Sequence, residues 1–224
     1  MARHMVGGKI TLYASIILTD FGLFAVLFAA TSFMFGQGAQ NIRINEVMTN
    51  NTGNYLDEYG HTLPWVELVN NSFTTYNVRG MFLTTDKAVL NENMSVPDRM
   101  KLMSQIPNGF DESLIGGRHH LLLFLNSAPE KGPNHLSVKV QPGQETWLAF
   151  YDGNAKNLID SVTIPALDSN TSYARIADGA DKWIVCKEEK VTPNANNVTK
   201  QELSKVEKIK TSDPHGFPLA ILSM

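Results

Sequence analysis

A single cysteine, Cys186, stands among 224 residues, and that scarcity excludes both a disulfide framework and a thiolate metal site. Its place in the run KWIVC reads as a small apolar strand residue. Charge of one sign is also lacking. Nineteen Lys and Arg against 22 Asp and Glu leave a formal charge of -3, so no net positive field draws the chain to a nucleic-acid backbone. There is no G-x-S-x-G, no phosphate-binding loop and no dinucleotide fingerprint. Asp57, Asp86, Asp152 and Asp178 are scattered, without the dense D-x-D-x-D-G loop of a calcium site. His119 and His120 are adjacent, so on a strand they point to opposite faces. His61, His135 and His215 stand at no ligand spacing from one another. The sequence therefore nominates no catalytic residue, no cofactor and no metal.

What is present is an ordinary globular composition, 43% hydrophobic and 18% charged, enough for one domain with appendages. Ile10 to Phe35 is apolar apart from hydroxyls and Asp20. Arg3 and Lys9 precede it, and the small or polar residues Gly36 to Gln40 follow, which is the layout of a secretory signal peptide. A retained membrane helix is the competing reading, against which Asp20 counts because a carboxylate deep in a bilayer is costly. Residues 1–40 are expected to be a signal peptide or membrane anchor, with the bulk of the chain exported.

From Ile42 onward short apolar runs alternate with turn chemistry. Ile42 to Val47 alternates apolar with polar, placing Ile42 and Ile44 on a different face from Arg43 and Asn45. Further strands are expected over Trp65–Val69, Tyr76–Thr85, His120–Leu125, Leu136–Val140, Thr146–Tyr151, Leu158–Ile164, Ser172–Ile176 and Lys182–Val185. Asn108-Gly109, Pro142-Gly143, Asp152-Gly153 and Asp178-Gly179 supply turns between them. Many short strands with almost no helical period imply an all-β sandwich. Residues 91–119 form an insert with a short helix over Asp98–Met103 and a loop over Ile106–Gly117. Its methionines, Met94, Met100 and Met103, read as gap-filling side chains. Beyond Asn197, Thr199 and Glu202 have capping-box spacing, and Leu203, Val206 and Ile209 recur every third residue. A short charged helix is expected there, followed by an apolar run to Met224.

Several of these pieces occur in the order found in one family. Ile44-Asn45-Glu46-Val47, Trp65-Val66-Glu67-Leu68 with Asn70, Gly80 through Leu83 to Asp86, Asp160-Ser161-Val162, Ser172-Tyr173-Ala174-Arg175 with Asp178-Gly179 and Trp183, and Thr192-Pro193-x-Ala195-x-Asn197 together resemble a lamin tail domain of bacterial type over residues 41–197. The chain departs from the family at Asn194, where glycine is usual. Asparagine suits that position if its backbone is left-handed.

The resemblance implies an immunoglobulin-like β-sandwich acting as a non-catalytic protein-interaction module on an exported or membrane-attached chain, periplasmic or secreted. Trp65, Trp147 and Trp183 are expected in the core. Arg175 is expected to pair with Glu46 and Glu67, and Thr192 and Asn197 to tie down the departing chain. Asp213 to Met224 also resembles the start of the membrane helix in the small gamma subunit of sodium-pumping biotin-dependent decarboxylases. That likeness implies an alternative role as an accessory subunit of such a membrane complex.

Overall fold

The computed structural model describes residues 38–197. The expected N-terminal hydrophobic segment and the charged helix with its apolar end lie outside the described residues. The chain divides between Gln40 and Asn41 into two units, and the second is the one described below. No helix among the described residues is long and apolar enough to cross a membrane.

In chain order the elements are β1 (Ile42–Met48), β2 (Trp65–Asn70), β3 (Tyr76–Asn77), β4 (Phe82–Thr84), α1 (Val96–Met100), β5 (Ser104–Gln105), β6 (Leu114–Ile115), β7 (His120–Leu125), β8 (His135–Leu136), β9 (Thr146–Tyr151), β10 (Leu158–Ile164), β11 (Thr171–Arg175) and β12 (Trp183–Lys187). One sheet runs β12-β11-β1-β2-β7-β8, a second β10-β9-β4-β5, and β3 and β6 form a small pair. All pairs are antiparallel except β7 with β8. The architecture is all-β and sandwich-like.

Strand alternation sorts the side chains into layers. Ile44 pairs with Leu68, Val47 with Val66, and Leu68 in turn with Leu121, so these residues share one face of the larger sheet. On the smaller sheet Leu83 pairs with Phe150, and Val162 with Leu148. All are buried. The opposite faces carry their own apolar clusters. Met48, Trp65, Leu122, Phe124, Ala174, Cys186 and Val191 pack together on the larger sheet, with Tyr55 and Leu63 against them. Phe82, Val89, Ala149, Tyr151 and Ala155 cluster on the smaller sheet, with Val96, Leu102, Met103 and Trp147 against them.

The insert therefore belongs to the fold more than its sequence implies. Its helix runs Val96–Met100, earlier than expected, because Ser95 caps it by accepting from Asp98 N and Pro97 suits the first turn. The segment expected as a loop contains β6, which pairs with β3, and buries Ile106 and Ile115. Met103 packs against the smaller sheet as expected of a gap-filler. Met94 is half-buried and Met100 exposed. The expected strand Tyr76–Thr85 is two strands, since Gly80 at φ 77° turns the chain and Met81 N donates to Val78 O. Leu136–Val140 shrinks to His135–Leu136, because Ser137 N donates to the Ser104 hydroxyl instead of a strand.

β1 carries a bulge. Ile44 faces Leu68 and Glu46 faces Glu67, leaving Asn45 as the extra residue. β11 pairs with β1 only at Glu46 and Val47, so Ile44 needs other partners on that side. Side chains supply them: Ile44 N donates to Asp160 Oδ2 at 2.9 Å, and Ile44 O accepts from Arg175 Nε at 2.6 Å. Arg175 Nη2 donates to the same Asp160 oxygen at 2.8 Å, Nη1 donates to Ala180 O, and the guanidinium lies 4.4 Å from the Trp183 ring centre. Arg43 Nε adds a further bond to Asp160 at 3.2 Å. Arg175 is thus paired with Asp160 of the other sheet, not with Glu46 and Glu67. Residues paired across a ladder share a face, so Ala174, opposite Glu46, lies on the Glu46 face and Arg175 on the other.

Breaking a buried ion pair on one side strands the remaining charge and costs about 3–5 kcal/mol. Asp160→Ala and Arg175→Ala are each expected to lower the urea midpoint sharply. A paired apolar replacement, Asp160→Leu with Arg175→Met, is expected to recover only part of the loss, because it removes the stranded charge but leaves Ile44 N and O without their partners, as equilibrium unfolding would measure.

Candidate binding site

The bulge turns both Asn45 and Glu46 toward the outer face of the larger sheet, where most of the family-like polar residues converge. Glu46 accepts from the Ser172 hydroxyl through Oε1 and from Thr192 Oγ1 through Oε2, the latter at 2.9 Å. Glu67 Oε1 accepts from Asn45 Nδ2 at 2.9 Å, and its Oε2 from Asn194 N at 2.6 Å. Asp178 Oδ1 accepts from Asn45 Nδ2 at 3.1 Å and from Asn197 N at 2.9 Å. Gly179 N returns a bond to Asn45 Oδ1 at 3.1 Å, and Asn197 Nδ2 donates to Asn45 O. Thr192 Oγ1 also lies 2.9 Å from Asn197 Oδ1, so its one proton serves two acceptors in turn. The segment Thr192 to Asn197 is laid over the sheet by this network.

Two backbone positions make the network possible. Asn194 adopts φ 58°, the left-handed conformation expected where the family has glycine, and this aims its N–H at Glu67. Gly179 adopts φ 64°, and a Cβ there would sit 1.6 Å from Asn71 Nδ2. Pro193 lies in the closing turn.

The other motif residues lie apart from this network. Trp65 is fully buried in the apolar cluster beside it, and its Nε1 has no hydrogen-bond partner. Asn70 braces the next loop, donating to Thr74 O and Ile115 O and accepting from Ser72. Tyr173 stacks on Trp183, with ring centres 5.2 Å apart, on the Arg175 side of the sheet. Trp147 and Trp183 are only half-buried, short of the core positions expected of them.

His120, expected only as the start of a strand, sits at the edge of the network. Its Nε2 is 3.3 Å from Asp178 Oδ2, a charge contact without hydrogen-bond alignment. Burial alone would lower the imidazole pKa, but Asp178, Glu67 and Glu46 outweigh it and raise the value. Burial pushes Glu67 up to about 7, opposed by His120 and by the bonds from Asn45 and Asn194 and aided by Glu46. Asp178 is held below the usual carboxylate range: burial would raise it, and His120, Asn197 N and Asn45 prevail.

Beside the network a cleft of about 350 Å³ opens on the same face. His120, Leu122 and Phe124 of β7 form its floor, Tyr55 to Glu58 one wall, and Asn134 and Asn194 complete it. Asp57 is fixed by Tyr59 N, His61 N and His61 Nδ1. Glu58 Oε1 lies 3.0 Å from Nε2 of the buried His135, whose ring stacks on Phe124 with centres 5.1 Å apart. Tyr55 joins cleft to network, since its hydroxyl accepts from Asn194 Nδ2 at 3.2 Å. Apart from Asn194, the residues lining the cleft come from segments without motifs, so no sequence signal points to it. No group of three metal-ligating side chains occurs among the described residues.

Compared with models of known families, with curated proteins and with solved structures, the chain matches none.

The pKa of Glu67 carries a signed prediction. A carboxyl whose folded pKa is raised from 4.5 to about 7 favours folding fully below pH 4.5 and loses that contribution as pH rises through 7. Unfolding free energy is expected to fall by about 3 kcal/mol over that window. Glu67→Gln is expected to flatten the fall, whatever its offset at pH 4.5, as denaturant titrations at stepped pH would read.

Proposed function

We propose that residues 41–197 form an immunoglobulin-like module of lamin tail type that binds a protein partner without catalysing a reaction, on a chain that is exported or tethered at a membrane. The observation that carries this reading is the use made of the motif residues. Asn45, Glu46, Glu67, Asp178, Thr192 and Asn197 spend their hydrogen-bonding capacity on one another and on the closing segment. Buried polar networks of this kind specify a unique packing. A substrate would find few unspent donors or acceptors there.

The convergence of separated motifs on one sheet face also supports the family resemblance, because each motif then has a stated physical task. The bulge and its carboxylate come from the first motif, and the second carboxylate from the second. The block from Ser172 to Trp183 supplies the left-handed turn at Gly179, and the last motif supplies the strap.

The insert is the surface on which a partner is best accommodated. Met100 is 40% exposed, and Phe110 and Leu114 are 46% exposed. Exposed apolar side chains grouped in one segment are a common feature of interaction surfaces. Deleting the whole insert would not test this, since it also supplies Ile106, Ile115 and the cover of the smaller sheet.

The better test replaces Met100, Phe110 and Leu114 together with serine. Thermal stability is expected to change little, while recovery of a crosslinked partner from the native membrane fraction falls at least about 10-fold, as for loss of interface anchors. Undiminished recovery removes the insert from the reading. A biotinylated carrier protein among the partners would favour the accessory-subunit role in a sodium-pumping decarboxylase.

A further inference from the structure

We propose that the cleft on the outer face of the larger sheet binds a single basic side chain, arginine or lysine, presented by a protein partner. This deepens the binding-module reading and rests on it for the source of the cation. The first argument is charge. Asp57, Glu58 and His120 are the charged residues lining the cleft, and neither lysine nor arginine lines it. Behind the floor, Glu67, Glu46 and Asp178 surround His120, so acidic side chains outnumber the one basic ring around the cleft. A low-dielectric wall concentrates that field in the opening.

The second argument is available bonding. Asp57 already accepts from two backbone N–H groups and faces His61 Nδ1, so it contributes field and no free acceptor. Glu58 is different: its side chain is 47% exposed, and His135 engages only Oε1. Oε2 remains for an incoming donor. The Tyr55 hydroxyl, which accepts from Asn194, and the Asn134 side chain are further polar groups at the mouth.

The third argument is shape and surface. Tyr55 and Phe124 stack with ring centres 6.4 Å apart, and Leu56 at the rim is 53% exposed. Tyr59, 57% exposed, packs on His135 with ring centres 6.0 Å apart. Aromatic faces attract a cation through the ring quadrupole, and apolar rims accept the methylene stem of a long basic side chain. A volume of about 350 Å³ suits one such side chain and is too small for a folded element. A carboxylate ligand would meet Asp57 and Glu58, which the field opposes.

The test uses N-acetyl-arginine methylamide against N-acetyl-citrulline methylamide, which has the same shape without the charge. Each is titrated into the ¹⁵N-labelled full-length chain and followed by two-dimensional NMR. The arginine probe is expected to give saturable shifts at Tyr55, Phe124, Asn134 and Asn194, with citrulline at least about 10-fold weaker. Glu58→Gln, which keeps an acceptor for His135, is expected to weaken the arginine probe about 5-fold or more with an unchanged melting temperature. If the two probes bind alike, if shifts do not saturate, or if they fall elsewhere, the proposal is overturned. Partner recovery by the insert variant bears on the binding-module reading alone, and the probe titration on the cleft alone, so either can fail separately.

Discussion

The bulge at Asn45 is the constraint from which the rest of the described structure follows. One extra residue in β1 parts that strand from β11 at Ile44 and leaves a backbone N–H and C=O without ladder partners. Burying them unpaired would cost free energy comparable to lost hydrogen bonds. Asp160 and Arg175 satisfy both groups at once, and because Asp160 belongs to the other sheet, the repair also joins the two layers. The same extra residue brings Asn45 and Glu46 to one side, where simple alternation would have separated them.

On that side two carboxylates, Glu46 and Glu67, face each other across β1 and β2. Both have 0% exposure. The arrangement is tolerated because backbone and side-chain donors from the closing segment converge on it, and because burial raises Glu67 to about 7 so that it is partly neutral near physiological pH. The closing segment is thus more than a tail. Thr192 donates to Glu46 and Asn194 to Glu67, alongside Ser172 and Asn45, while Asn197 anchors the segment through Asp178 and Asn45.

The outer faces of the two sheets carry apolar clusters against which other segments pack. The insert covers the smaller sheet through Val96, Leu102 and Met103, and the closing segment covers part of the larger one. What the closing segment leaves uncovered is the cleft beside His120. The network and the cleft share Tyr55 through its bond from Asn194, so binding in the cleft and docking of the closing segment are physically continuous.

Much of the all-β character was legible in the chain: His120–Leu125, Thr146–Tyr151 and Leu158–Ile164 fall where apolar periodicity and turn chemistry put them, since those signals are local. Asn194 at φ 58° was likewise readable, because few residues other than glycine and asparagine accept that conformation. Partner choice was not legible. Whether Arg175 would meet Glu46, Glu67 or Asp160 depends on which face each side chain takes, and a bulge of one residue reverses faces without altering composition. The cleft was invisible for a related reason: Tyr55, Glu58, His120 and Asn194 are brought together across long stretches of sequence by strand order alone. The sequence by itself determined the strands, the turns and the residues able to pair. The tertiary structure decided who pairs with whom and where an opening remains, because those are consequences of register and layer packing that no local pattern encodes.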